Sequence, residues 1–168
     1  MSKIRLSLLG LAAVALAATQ ATLGAATATS NVTVSATVSA TAKLSLSTST
    51  QSFPNSDPDT TPSIAATEGA ITITAKGKTS TGSNITLTVV SGGDLTSGSD
   101  TIAISNITWT VSGAGFVAGT MNKTTAQSVG SWANSGSRTG TQTYALANSW
   151  SYPTGSYSAT ATYTLTAP

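Results

Sequence analysis

The 168 residues include no histidine and no cysteine. That removes the side chains that ordinarily serve acyl-transfer triads, zinc sites and thiol nucleophiles. What remains for chemistry is five carboxylates. Asp57 with Asp59, or Asp94 with Asp100, could flank a glycosidic bond if a fold held one pair about 5 to 9 Å apart. Each pair also lies where Asp commonly braces its own turn: the first among Pro54, Pro58 and Pro62, the second among Gly92, Gly93 and Gly98. The same loops offer oxygen ligands for calcium, but neither follows a recognised ligand spacing. The turn reading is the stronger one for both. No catalytic residue, metal site or cofactor is therefore expected, and the chain reads as a non-enzyme.

Aromatic side chains are the remaining route to a ligand, because a sugar ring stacks on an exposed indole. Trp109, Tyr144 and Trp150 fall on the apolar phase of alternating stretches, so they are expected in a core. Trp132 sits in a Ser, Gly and Asn background where packing does not obviously require it. It is the candidate ligand-contact residue, expected to be exposed. Asn31, Asn84, Asn106 and Asn122 each open an Asn-X-Ser/Thr sequon and are candidate glycosylation positions.

The element that organises the rest is the stretch 32–46. Val32, Val34, Ala36, Val38, Ala40, Ala42, Leu44 and Leu46 alternate with Ser, Thr and Lys43, the period-two pattern of a strand with one apolar face. A straight strand of about 15 residues would span on the order of 50 Å, whereas a domain of this size has a radius of gyration of about 14 Å. Two readings follow. The stretch bends near residues 39–42 into two strands, or its first part leaves the domain. In the second reading residues 27–38 are an arm whose Val32, Val34, Ala36 and Val38 complete a neighbour's sheet.

Elsewhere the alternation recurs with turn residues between: 70–76 and 84–90 joined as a hairpin, 102–111 with a parity change near Ser105-Asn106, and 141–152. The last run, 156–167, puts Tyr157, Ala159, Ala161, Tyr163, Leu165 and Ala167 on one face. Between 120 and 140 the pattern dissolves, which predicts a long connection with one short strand. Seven to nine strands without helical periodicity predict an all-β fold, a single antiparallel β-sandwich of Ig-like or jelly-roll-like type over residues 27–168.

Residues 1–26 read as a cleaved signal peptide. Lys3 and Arg5 precede an apolar run, and small residues follow at Gly24, Ala25 and Ala26. Without Lys3 and Arg5, the basic side chains are Lys43, Lys76, Lys78, Lys123 and Arg138, against Asp57, Asp59, Glu68, Asp94 and Asp100, a balance near zero. The basic pI of about 9.1 therefore describes the leader and argues against nucleic acid as a partner. Charged residues make up 7% of the chain, against about 25% in an ordinary globular protein. That composition suits an exported surface protein.

Two stretches, Ile107-Thr108-Trp109-Thr110-Val111 and 155–168 ending Tyr163-Thr164-Leu165-Thr166-Ala167-Pro168, resemble the bacterial WxL-type surface domain, with Val111 in place of the first Leu and Tyr163 in place of the second Trp. The arrangement of a leader followed by an alternating arm also resembles secreted donor-strand fibre subunits. These resemblances imply a secreted sandwich that attaches to the cell wall or to other surface proteins. The expectation is a non-enzymatic extracellular subunit of a fibre or surface layer that associates with itself or with other surface proteins through strand pairing. The alternative is a secreted module that binds cell-wall glycan or another polysaccharide.

Overall fold

The structure, a computed structural model, describes residues 26–168. The leader expected over residues 1–26 thus lies outside the described residues, apart from its last position. The chain divides into a unit ending at Ala36 and a unit from Thr37 to Pro168. In the first, residues 26–36 form no strand or helix and every one is exposed.

The second unit is all-β, with antiparallel sheets and, apart from one 3₁₀ turn, no helix. Its strands are β1 (Thr41–Leu46), β2 (Ser63–Ala65), β3 (Ile71–Lys78), β4 (Asn84–Ser91), β5 (Leu95–Ser97), β6 (Asp100–Ile102), β7 (Ile107–Ser112), β8 (Gly119–Thr120), β9 (Gln127–Ala133), β10 (Gly136–Ala147) and β11 (Ala161–Thr166). One sheet runs β1-β3-β10-β7-β8, with β2 on the far half of β10. A second runs β11-β4-β9, and β5 with β6 forms a separate hairpin.

Alternation explains the layout. Ile71, Ile73 and Ala75 of β3, Ile85, Leu87 and Val89 of β4, and Tyr144 and Leu146 of β10 all point into one apolar cluster with Trp109, Val129 and Trp132. The residues between them, Thr72, Thr74, Thr86, Thr88 and Ala145, are exposed or half-buried, as a half-buried strand requires.

Several expectations are corrected. The stretch 32–46 is strand only from Thr41, and residues 26–40 make no second strand, so the bend is not formed. Strands β3 and β4 are not a hairpin, because they lie in different sheets and residues 79–83 cross between them. The region 120–140 holds all of β9 and the start of β10. The two-residue connection Asn134-Ser135 is a second crossing, with Asn134 in the left-handed region at φ 65°. The two crossings brace each other: Thr79 N–H donates to Ser135 Oγ at 2.9 Å and Gly82 N–H to Asn134 Oδ1 at 3.1 Å. The parity change near Ser105 is a 3₁₀ turn, Ile104–Asn106, that separates β6 from β7. The final alternating run is strand only over β11, and Ala159 and Ala161 are exposed.

Candidate functional site

The edges of the two larger sheets are finished differently at their two sides. On the β9 side, the segment after β7 folds over the edge. Val117 N–H donates to the Val129 carbonyl at 2.9 Å and Ser131 N–H to the Gly115 carbonyl at 3.0 Å, after which β8 pairs with β7. Aromatic packing holds this cover down. Phe116 meets Trp132 edge to face at 4.9 Å, Trp109 Nε1–H donates to the Val117 carbonyl at 2.9 Å, and Trp132 Nε1–H donates to the Ala114 carbonyl at 2.8 Å. Gly115 has φ 82°, and a Cβ there would strike the Trp132 indole, so a residue without a side chain is required on both counts.

On the opposite flank, between β1 and β11, no further strand is paired among the described residues. Each is the terminal strand of its sheet. The inward residues of the central strands are sealed, with Ile73, Leu87 and Val89 at 0% exposure. Their counterparts at the flank, Leu44 and Leu46 of β1 and Tyr163 and Leu165 of β11, are only half-buried. An apolar face is therefore laid down there without a final row of side chains to close it.

The two edges also differ in protection. Natural edge strands are blunted by Lys, Pro, bulges or extreme shortness. Strand β1 carries Lys43, whereas the six residues of β11, Ala-Thr-Tyr-Thr-Leu-Thr, contain neither a charge nor a proline and keep an unbroken register with β4. Among the described residues no strand pairs with the outer row of N–H and C=O groups on β11.

One polar cluster lies inside. Gln142 is fully buried on the inward phase of β10. Tyr163 donates its hydroxyl proton to Gln142 Oε1 at 2.5 Å, and accepts from the Tyr144 hydroxyl at 2.5 Å. Gln142 Nε2 has no partner. Burial pushes the hydroxyl of Tyr163 well above the ordinary tyrosine range and that of Tyr144 upward as well, so both stay protonated as donors. The cluster ties edge strand β11 to the centre of the other sheet. Gln142 was missed in the sequence, where a polar residue on an apolar phase reads as a break in the pattern.

The expected site residues are scattered. Val32 and Val34 are 84% and 90% exposed and Val38 is 74% exposed, with Ala36 exposed beside them. Trp132 is corrected: it is buried at 6% against Phe116, so its ring offers no face to a ligand. Trp150, expected in the core, is 70% exposed, and its Nε1–H donates to Asp59 Oδ1 at 3.1 Å. Trp109 and Tyr144 are buried in edge-to-face contact.

Asn31 and Asn84 are exposed, while Asn106 and Asn122 are half-buried. Asn122 Oδ1 accepts the Thr124 and Thr125 N–H groups, which fixes its own turn. Four of the five carboxylates, those of Asp57, Asp59, Glu68 and Asp94, are occupied locally. Asp57 Oδ1 accepts the Asp59 N–H. Glu68 accepts the Ser52 N–H and hydroxyl, and Asp94 accepts from Lys123 Nζ at 2.5 Å and from the Ile104 N–H. Among the described residues no group of three or more acidic side chains is placed to hold a metal ion, and no helix is long and apolar enough to cross a membrane.

Set against known proteins, the chain matches no family model, no curated protein and no solved structure.

Proposed function

We propose that the protein is a non-enzymatic, exported structural subunit that assembles into a fibre or surface layer by β-strand pairing. In this reading the two larger sheets are the layers of a single β-sandwich. The signal-peptide pattern of residues 1–26 and the low charge support export to the cell surface. The observation that carries the proposal is the bare edge of β11 beside half-buried Leu44, Leu46, Tyr163 and Leu165, in a chain whose residues 31–38 have the matching alternation.

The fit is chemical as well as geometric. Alternate residues on a strand repeat every 6.5 Å or so, which lets Val32, Val34, Ala36 and Val38 of a neighbour continue the apolar row of Tyr163, Leu165 and Ala167. Thr33, Ser35 and Thr37 then fall beside the outward Thr162, Thr164 and Thr166, a favourable cross-strand pairing. Burying three valines contributes roughly 1.5–3 kcal/mol each, and main-chain hydrogen bonds add affinity without requiring further side chains.

Deleting residues 29–38 tests the proposal. The shortened protein is expected to keep the circular dichroism of the native chain and to stay monomeric, with no fibres in electron micrographs. Fibres of normal length and number from the shortened protein would overturn it.

A second reading, a module for wall glycan or another polysaccharide, is favoured by one observation, the exposed Trp150 indole. It is tested by whether Trp150→Ala abolishes retention on isolated wall material.

A further inference from the structure

The register of the strands sorts the charges by end. Lys76 of β3 stands opposite Lys43 of β1 and Ser137 of β10, Lys78 stands opposite Thr41, and Arg138 stands opposite Ala75. Lys43, Lys76 and Lys78 on the outward phase, and Arg138 on the other phase beside Ala75, therefore all lie toward the end of the sheet where β3 finishes. Lys43 and Lys76 face each other directly, a like-charge pairing that an isolated sheet would disfavour. Among the described residues the one ion pair lies elsewhere, between Lys123 and Asp94.

The acids lie at the other end. Glu68 is in the turn that leads into β3. Asp57 and Asp59 precede β2, which pairs with the last residues of β10, far from Gly136 and Gly77. The crossing 79–83 is short, so β4 begins where β3 ends. It finishes at Ser91 on the opposite side, just before Asp94 and Asp100. Among the described residues, one end thus holds four basic side chains and no acidic side chain, with the last residue, Pro168, beside Thr79 there. The other holds the five acidic side chains, with Lys123 as the base beside them.

Eight residues of strand put about 26 Å between the ends, whereas the screening length at physiological salt is about 8 Å. The two charge sets cannot neutralise each other within one molecule. They can do so between two copies.

We propose that copies of this chain stack head to tail, with the Lys43, Lys76, Lys78 and Arg138 end of one seated on the Asp57, Asp59, Glu68 and Asp100 end of the next, so that charge sets the direction of growth. Like-to-like pairing would juxtapose equal charges, so the contact is heterologous, the kind that propagates into an open filament. This rests on the strand-pairing reading and deepens it. The chain enters β1 at Thr41, at the basic end, and β11 begins at Ala161, at the acidic end. A segment passing from one copy to the next therefore meets β11 from its start and runs antiparallel to it.

The test uses two charge variants of the purified protein at exposed or half-exposed positions. Lys43→Glu/Lys76→Glu/Lys78→Glu makes both ends negative. Asp59→Lys/Ser99→Lys/Asp100→Lys makes both ends positive while sparing Glu68 and Asp94, which brace the fold. Circular dichroism checks folding, and light scattering with electron microscopy follows elongation. Each variant alone is expected to elongate about tenfold more slowly than the native protein, about 0.5 M salt is expected to slow the native protein comparably, and an equimolar mixture is expected to recover the native low-salt rate. If either variant fails to fold, the other is mixed with the native protein, where it is expected to cap growth at substoichiometric amounts.

Native-like elongation by the variants alone, a mixture no faster than its components, or a folded variant that does not cap would overturn the proposal. Fibres formed without residues 29–38 would instead sink the strand-pairing reading, leaving the mixing experiment to decide the charge question.

Discussion

Single side chains explain why edge strand β11 stays in place although one of its sides is bare. Its Tyr163 hydroxyl donates to the buried Gln142 Oε1 on strand β10 and accepts a hydrogen bond from the Tyr144 hydroxyl. A buried polar group left without its partner costs about 1–3 kcal/mol, whereas removing both partners together is nearly neutral. Tyr163→Phe is therefore expected to lower the stability measured by urea denaturation by about that amount. The variant Gln142→Leu/Tyr144→Phe/Tyr163→Phe, with every polar atom of the cluster removed, is expected to regain most of the loss. Equal losses in both would show that the hydroxyl contributes packing alone. The carboxylates make the acid side of the stability curve. Hydrogen bonds from the Ser52 N–H and hydroxyl hold Glu68 below its ordinary 4.5, and those from Lys123 and the Ile104 N–H hold Asp94 below its ordinary 3.8. Both folded values lie beneath the unfolded ones, so their contribution is complete above the ordinary values and disappears as pH falls through the folded ones. The thermal midpoint is expected to be flat from pH 7 to about 5 and to fall below about pH 4, with a shallower fall in Glu68→Gln/Asp94→Asn.

Strands were legible where one face is apolar and the pairing is regular, and illegible where the register breaks. Strands β3, β4 and β11 follow strict alternation, and so they stand out in the sequence. Strand β9 does not, because a bulge opposite Leu87 and Thr88 inserts Val129 beside Gly130 and puts Val129 and Trp132 on opposite parity. A single extra residue is enough to make a real strand look like a loop. The same bulge accounts for the misplacement of Trp132. Its Ser, Gly and Asn neighbours are small because the indole packs over Gly130 and Gly115, where a Cβ would collide with the ring, and not because the region is open. The sequence also could not say that β3 and β4 part company, since five turn residues serve a hairpin and a crossing equally well. For residues 31–38 the alternation was plain, but alternation specifies a face and not a partner. A charge at the centre of that face addresses the partner directly. Val34 is 90% exposed, so the melting temperature of the Val34→Asp protein is expected to stay within error of the native protein. Burying an unpaired carboxylate in an apolar groove costs at least several kcal/mol, so elongation followed by light scattering is expected to cease. Val34→Ile, which keeps the apolar face, is expected to elongate normally, and normal growth of Val34→Asp would place the assembly contact elsewhere.

At the level of the whole molecule, a core whose described residues are sealed at the β8–β9 flank and only half-buried at the β1–β11 flank makes stability depend on what binds there. The covered β8–β9 side is complete within the chain, with Trp109, Phe116 and Trp132 locked onto backbone carbonyls and onto one another. The β1–β11 side keeps Leu44, Leu46, Tyr163 and Leu165 half in water. Anything that binds the folded state there and not the unfolded chain must raise stability by mass action, by about 2.7 kcal/mol when present at a hundred times its dissociation constant. For a chain of this length that corresponds to a rise in melting temperature of roughly 5–10 °C. A synthetic peptide spanning residues 29–40, added to protein that lacks residues 29–38, is therefore expected to raise the melting temperature in a saturable way and to halt the growth of native fibres at the same concentrations. The same peptide carrying Val34→Asp is expected to do neither. Because the peptide cannot carry the charges of the folded ends, its effect should vary little with salt, whereas native elongation should vary strongly. A peptide effect that fades with salt in parallel with elongation would mean that the strand and the ends are not separate contacts.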